Sequence, residues 1–321
     1  MSKRKILITG GLGYVGGRVA QHLVLQTDYE IVLGSRHKAD PPGWLPQSRV
    51  LETLWSSSDN LKQNCSGIDS VVHLAGMNAQ DCFADPVAAL EFNAVGTARL
   101  LQAAINQGVK RFIYLSTAHV YGSPLEGTIT EATCPVNLHP YASSQRAGED
   151  VVLAAHQRGE IAGVVLRLSN AFGAPANMNA NCWMLLVNDL CRQAVTTGKL
   201  VLRSSGLQRR DFITLEDVSR AVEYLLEMPV ESCADGLFNL GGECSLQIIE
   251  LTKRISSRCK EILDFSPDIV IPKPECNEVS AELAYRIDKL KSTGFTVTGN
   301  INAEIDATLL LCRESFGRGT C

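Results

Sequence analysis

Gly11, Gly13 and Gly16 stand in the spacing G-x-G-x-x-G, and Gly10 extends the same turn to G-x-x-G-x-x-G. The run Lys5 to Thr9 before it is short and apolar, and Val15, Val19 and Leu23 after it recur at helical spacing. The glycines therefore close a strand and open a helix. That context can carry a pyrophosphate. Backbone N–H groups around Gly13, Tyr14, Val15 and Gly16 would point at anionic oxygens, and a side chain in the turn would hold the phosphate away. The end of the second strand then selects the ribose, because an Asp or Glu there would bond the ribose hydroxyls of NAD and repel a 2′-phosphate. This chain reads Gly34-Ser35-Arg36-His37-Lys38. Ser35 offers a hydroxyl and Arg36 a guanidinium for charge-assisted bonds to phosphate, which favours NADP over NAD.

The elements that must position such a turn are legible as apolar runs. Ile31 to Leu33 reads as a second strand, Val50 to Leu54 as a weak third, Ser70 to Ala75 as a fourth, Arg111 to Leu115 as a fifth and Val164 to Leu168 as another. Leu90, Ala94, Leu100, Leu101, Ala104 and Ile105 suit one long helix between Pro86 and Gly108. Apolar strands alternating with helices predict an α/β fold, a doubly wound parallel sheet covered on both faces. Residues 1–170 form the dinucleotide-binding domain in this reading. Residues 171–321 form a smaller C-terminal substrate-binding lobe. The boundary is interleaved, since strand candidates at Leu200 to Arg203 and Leu237 to Leu240 can return to the sheet; Cys312 to Cys321 reads as a frayed tail.

The 321 residues carry 34 acidic and 30 basic side chains, a formal charge of −4 that gives no broad attraction to nucleic acid. The longest uncharged apolar stretches, such as Cys182 to Val187, are far too short to span a membrane. Met1 to Lys5 leads into a strand without the apolar core of a secretory signal, so a cytoplasmic location is expected. Eleven cysteines, with no Cys-x-x-Cys pair or Cys/His cluster at zinc spacing, predict free thiols and no metal centre.

Further motifs follow the glycine turn in order: His73-Leu74-Ala75-Gly76, Asn93 with Gly96-Thr97, Leu115 to Gly122, Pro140 to Ser144, Leu166 to Asn170, Arg210 to Ile213, and Phe238 to Gly242. From Ile6 to about Phe295 the chain resembles the extended short-chain dehydrogenase/reductases, the epimerase/dehydratase group that includes UDP-galactose 4-epimerase. The resemblance implies hydride exchange between a nicotinamide and a hydroxyl or ketone, usually of a nucleotide-linked sugar. It assigns the proton exchange to Tyr141 and a bond to the same substrate oxygen to Thr117, with Ser116 beside it. Leu74, Ala75 and Gly76 would pass the cofactor through backbone contacts, and Asn93 would tie its helix to the loop near the site. On the substrate side it points to Asn170, to Arg210 with Arg203 on the strand before, and to Arg286. It also implies a homodimer through the helices Pro86 to Gly108 and Asn137 to Gln157.

Two departures shape the expected chemistry. Gln145 stands where the resemblance calls for the lysine of Tyr-x-x-x-Lys. An amide can still bond a ribose hydroxyl, but it lacks the charge that draws a phenol with an ordinary pKa near 10 toward neutrality. Losing one nearby cation is worth one to three pKa units, about 1.4 to 4 kcal/mol. Reduction tolerates this better than oxidation, because a neutral phenol is already the proton donor. The second departure is Thr117-Ala118-His119, where the 4,6-dehydratases that the chain resembles carry Thr-Asp-Glu. With no carboxylate there, dehydration is disfavoured, although His119 can act near neutral pH. The expected activity is an NADP-dependent reductase, or an epimerase, acting on a nucleotide-linked sugar in a cell-surface polysaccharide or deoxysugar pathway. The alternative is a catalytically weak or silent NADP-binding scaffold.

Overall fold

In the computed structural model, which describes residues 3–273 and 280–317, seven parallel strands form the central sheet. Their spatial order is Leu237–Leu240, Ala162–Leu168, Arg111–Thr117, Ser70–His73, Lys5–Thr9, Glu30–Ser35 and Arg49–Glu52. The order reverses at Lys5–Thr9, which pairs on one side with Glu30–Ser35 and on the other with Ser70–His73. In open α/β sheets the crevice at the carboxyl ends of such strands is where ligands bind, and the glycine turn opens into it.

Ile6, Leu7 and Ile8 read as an unbroken apolar run because both faces of the strand are covered. Ile6 and Ile8 pack with Val19 and Leu23 of the helix Tyr14–Gln26 and with Val218, Val222 and Leu225 of the helix Leu215–Glu227. Leu7 points the other way, into Leu61, Leu100, Ala104 and Val152. Each such side chain, buried fully, contributes about 1.5–3 kcal/mol.

The long helix expected from Pro86 to Gly108 is continuous but not uniform. It runs as α-helix over Pro86–Ala89, as π-helix over Leu90–Gly96 and as α-helix again over Thr97–Asn106. Inserted π turns are frequent at functional sites, and this one carries buried Asn93, which bonds the Met77 N–H and the Ser144 hydroxyl. The later helix starts at Pro140, not Asn137, because His139 accepts the Tyr141 N–H as its cap and Pro140 takes the first position, where a missing N–H costs nothing.

The second lobe has its own core, with Phe172, Leu190, Leu200, Phe212, Leu251, Ile255, Ile305 and Leu309 buried together. Of the two late strand candidates, Leu237–Leu240 joins the main sheet beside Ala162–Leu168. The other is Lys199–Val201 and pairs with Asp268–Val270 outside that sheet, leaving Arg203 beyond its end. Of the tail expected to fray, residues 312–316 are helical and 318–321 lie outside the described residues. Helix Ile301–Phe316 includes Cys312, which is buried because Ile305, Leu309 and Cys312 recur on the face packed against the lobe. Cys276 and Cys321 lie outside the described residues. The nine described cysteines are free, seven of them buried, while Cys134 is exposed and Cys244 half-buried. Among the described residues no helix is long and apolar enough to cross a membrane.

Candidate active site

The glycine turn is built so closely that side chains are excluded. Gly10 has φ +69°, and a Cβ on it would lie 2.9 Å from the Ala75 nitrogen. A Cβ on Gly16 would lie 2.2 Å from the Gly10 carbonyl oxygen. Gly13 precedes the helix Tyr14–Gln26 without any side-chain cap, and the first turn holds no acidic residue. The positive end of that helix is therefore left to an anion, as a dinucleotide pyrophosphate requires. Leu74 donates to the Thr9 carbonyl at 3.2 Å, so the Leu74-Ala75-Gly76 segment forms the opposite wall of the crevice. Ser35 ends its strand half-buried and Arg36 is exposed beside it. These residues fit a nicotinamide dinucleotide.

A further wall of the crevice comes from the ends of the strand Arg111–Thr117 and the helix Pro140–Gln157. The Thr117 hydroxyl hydrogen-bonds the Tyr141 phenol, lowering its pKa, but burial outweighs that and holds the phenol above its ordinary value. Among the described residues no cation draws the Tyr141 pKa down. Arg146, the nearest candidate in sequence, is turned along the helix to Asp150 at 3.0 Å and Glu149 at 3.7 Å. Gln145 is buried, and its Oε1 accepts from the Tyr114 hydroxyl.

Asn93 links the parts of this wall. Its Oδ1 accepts from Met77 N at 2.8 Å, and its Nδ2 donates to the Ser144 hydroxyl at 2.9 Å. The π turn thus ties the Gly76 loop to the tyrosine helix, the linkage expected of Asn93. Ser116 faces elsewhere: its hydroxyl donates to Glu149 at 2.5 Å, and Glu149 pairs with Arg167 at 2.6 Å, both fully buried. The Arg167 guanidinium also lies 4.7 Å from the centre of the Tyr121 ring. Tyr14 gives its hydroxyl to the second lobe, with Gly173 O and Asn188 Oδ1 each at 3.0 Å. Only its backbone is left for the phosphate.

On the substrate side, His119 and Arg210 are neighbours, and burial together with the Arg210 charge keeps the His119 pKa below its usual value. The His119 N–H donates to Thr117 Oγ1 at 3.1 Å, and Asn137 Nδ2 donates to the His119 carbonyl at 2.7 Å. Desolvation depresses the Arg210 guanidinium, whose nearest side-chain acceptor, Gln208 Oε1, is 3.5 Å away. Asn170 donates to the Asp211 carbonyl at 3.0 Å and so joins its strand to Arg209–Thr214. Arg203 is exposed on a loop. Arg286 is paired with Asp288 at 2.9 Å and lies half-exposed.

The structure thus brings Gly76, Asn93, Thr117, Tyr141 and Gln145 together, and sets Arg210 next to His119. Sequence reasoning missed Tyr114, Ser144, Glu149 and Arg167. The signal available for them was a polar group interrupting an apolar strand or a helix face, without an indication of its partner.

The family described as the NAD dependent epimerase/dehydratase family matches residues 6–241. A dTDP-D-glucose 4,6-dehydratase from Mus musculus is 30% identical over 280 residues, 80% of this chain and 74% of that protein. A UDP-glucose 4-epimerase from Lactobacillus helveticus is 27% identical, covering 78% of this chain and 82% of its own. A solved NAD dependent NDP-hexosamine 5,6-dehydratase, TunA, involved in tunicamycin biosynthesis, superposes with a TM-score of 0.78 at 26% identity, covering 97% of this chain and 98% of that one.

Proposed function

The chain belongs to the NAD dependent epimerase/dehydratase family, and from that premise we propose that it is an NADP-dependent reductase of a keto-sugar carried on a nucleoside diphosphate. One observation carries the direction of the reaction: desolvation holds the Tyr141 phenol above its ordinary pKa, and no cation among the described residues offsets it. At neutral pH the phenol is protonated, which is the state a reductase needs and an oxidase must first lose.

A bound nicotinamide dinucleotide supplies the hydride. As negative charge develops on the substrate oxygen, Tyr141 gives it a proton and Thr117, hydrogen-bonded to the same phenol, steadies that oxygen. The turn Gly10 to Gly16 holds the pyrophosphate and Arg36 the 2′-phosphate. Gln145 bonds ribose hydroxyls in place of an ammonium. Arg210, partly desolvated and weakly engaged by protein, suits the substrate's phosphates. His119, uncharged at neutral pH, lines the sugar pocket beside it. Epimerisation is the second reading, and it requires the phenol to accept a proton in the first half-reaction.

A second copy of the chain is the proposed partner. The stretch Pro86 to Gly96 leaves Val87 68% and Leu90 48% exposed, and Leu138, before the tyrosine helix, is 90% exposed. Sedimentation should give a dimer that Val87→Asp weakens. For the activity itself, the chain is incubated with NADPH and a series of keto-sugar nucleotides. Net consumption of NADPH with one reduced sugar formed is the expected outcome, whereas an isomerised sugar with the cofactor unchanged would favour epimerisation.

A further inference from the structure

Gln145 is only 5% exposed, and its two amide atoms are treated differently. Oε1 accepts the Tyr114 phenolic proton inside the protein, while Nε2 makes no hydrogen bond to any described residue. That nitrogen lies against the Gly76 loop, 3.1 Å from where a Gly76 Cβ would be, with Asn93 Oδ1 3.5 Å from the same point. Nε2 is not fully buried, so its two N–H groups face the crevice, where a ligand can accept from them.

Tyr114 is held where it is by two neighbours. Its ring stacks on His73 with centroids 5.4 Å apart. Gly148 in the tyrosine helix leaves the room its hydroxyl needs, since a Cβ there would lie 2.6 Å from that oxygen. Burial raises the phenol's pKa well above its ordinary value, so it stays a donor.

We propose that Tyr114 is a positioning residue for the dinucleotide: by fixing Oε1 of Gln145 inward, it turns the Nε2 donors outward to the hydroxyls of the nicotinamide-side ribose. The pair Tyr114 and Gln145 then does by orientation what a charged side chain does without it. A lysine at 145 needs no such neighbour, because an ammonium presents donors whichever way it rotates. The proposal rests on the dinucleotide-binding reading above.

Binding of NADPH, followed by its fluorescence, separates the two claims in four proteins: the wild type, Tyr114→Phe, Gln145→Lys and the double variant. Tyr114→Phe is expected to weaken binding about fivefold in the Gln145 protein, the worth of one hydrogen bond. It should change binding less than about twofold in the Gln145→Lys protein. Equal losses from Tyr114→Phe in both backgrounds, or no loss in either, would overturn the role of Tyr114. Failure of the wild-type chain to bind NADPH or NADH would instead overturn the reading of its function.

Discussion

The charge missing at position 145 is the residue-scale fact with the largest chemical effect. Tyr141 is half-buried, desolvation holds its pKa above the ordinary value, the neutral Thr117 hydroxyl is the one described group that lowers it, and the proton stays on the phenol. Placing an ammonium one helical turn away should lower that pKa by one to three units. Gln145→Lys is therefore expected to raise the rate of alcohol oxidation at about pH 7 to 8 by about tenfold or more, with little effect on reduction at the same pH. Steady-state rates in both directions across pH check this. Arg36 acts at the same scale, through one exposed guanidinium. Arg36→Ala should weaken NADPH binding about tenfold and leave NADH binding unchanged, which parallel titrations would read. The glycine turn, Tyr141 and Gln145 could all be found in the sequence because their signals are local. Tyr114 and Glu149 could not, because each owes its role to the register of the strand Arg111–Thr117 against the helix Pro140–Gln157. That register is a property of packing.

Between neighbouring elements, His73 works as a bolt. The Thr97 hydroxyl gives its proton to the Asn93 carbonyl at 2.6 Å, so it accepts from His73 Nε2 at 2.9 Å. His73 Nδ1 is then the acceptor for Thr9 at 2.6 Å. One neutral imidazole thereby joins the strands Lys5–Thr9 and Ser70–His73 to the helix Thr97–Asn106. Burial lowers its pKa to about 3, against about 6.5 in an unfolded chain. Above about pH 6.5 both states are neutral and the group has no effect on stability. As the pH falls toward about 3 the unfolded chain binds a proton that the folded one does not, and stability drops by up to about 1.4 kcal/mol per pH unit. Urea unfolding of wild type and His73→Gln at about pH 7, 6 and 5 should show a shallower pH slope in the variant, and parallel slopes would contradict the assignment. His73 ends the strand Ser70–His73, whose four residues are all buried. The π turn at Leu90–Gly96 left no trace in the sequence, because an apolar stripe of that length reads the same with or without one widened turn.

Across the whole molecule, the helix Tyr14–Gln26 ties the glycine turn to residues 173, 174, 188 and 304. Arg18, one turn past Tyr14, donates to the Ala174 carbonyl at 2.9 Å and pairs with Glu304 at 2.6 Å, and Tyr14 holds Gly173 and Asn188. Glu304 is 5% exposed, so removing it strands a guanidinium that is mostly buried. Glu304→Ala should cost about 2 kcal/mol of stability and loosen NADPH binding as well, although Glu304 is far along the chain from the glycine turn. Thermal unfolding with and without NADPH would measure both effects. The doubly wound sheet was readable from apolar periodicity because covered parallel strands carry no alternation. The second lobe was less so: its strands are three to six residues long and its helices meet only in three dimensions. The central claim is that a dinucleotide across the strand ends faces a Tyr141 phenol that donates its proton. Its most direct test is NADPH consumption with a keto-sugar nucleotide, measured for the wild type and for Tyr141→Phe at about pH 7. Net oxidation of NADPH, slowed about a hundredfold or more in the variant with its NADPH affinity kept, is the expected result. Equal rates in the two proteins would contradict the claim.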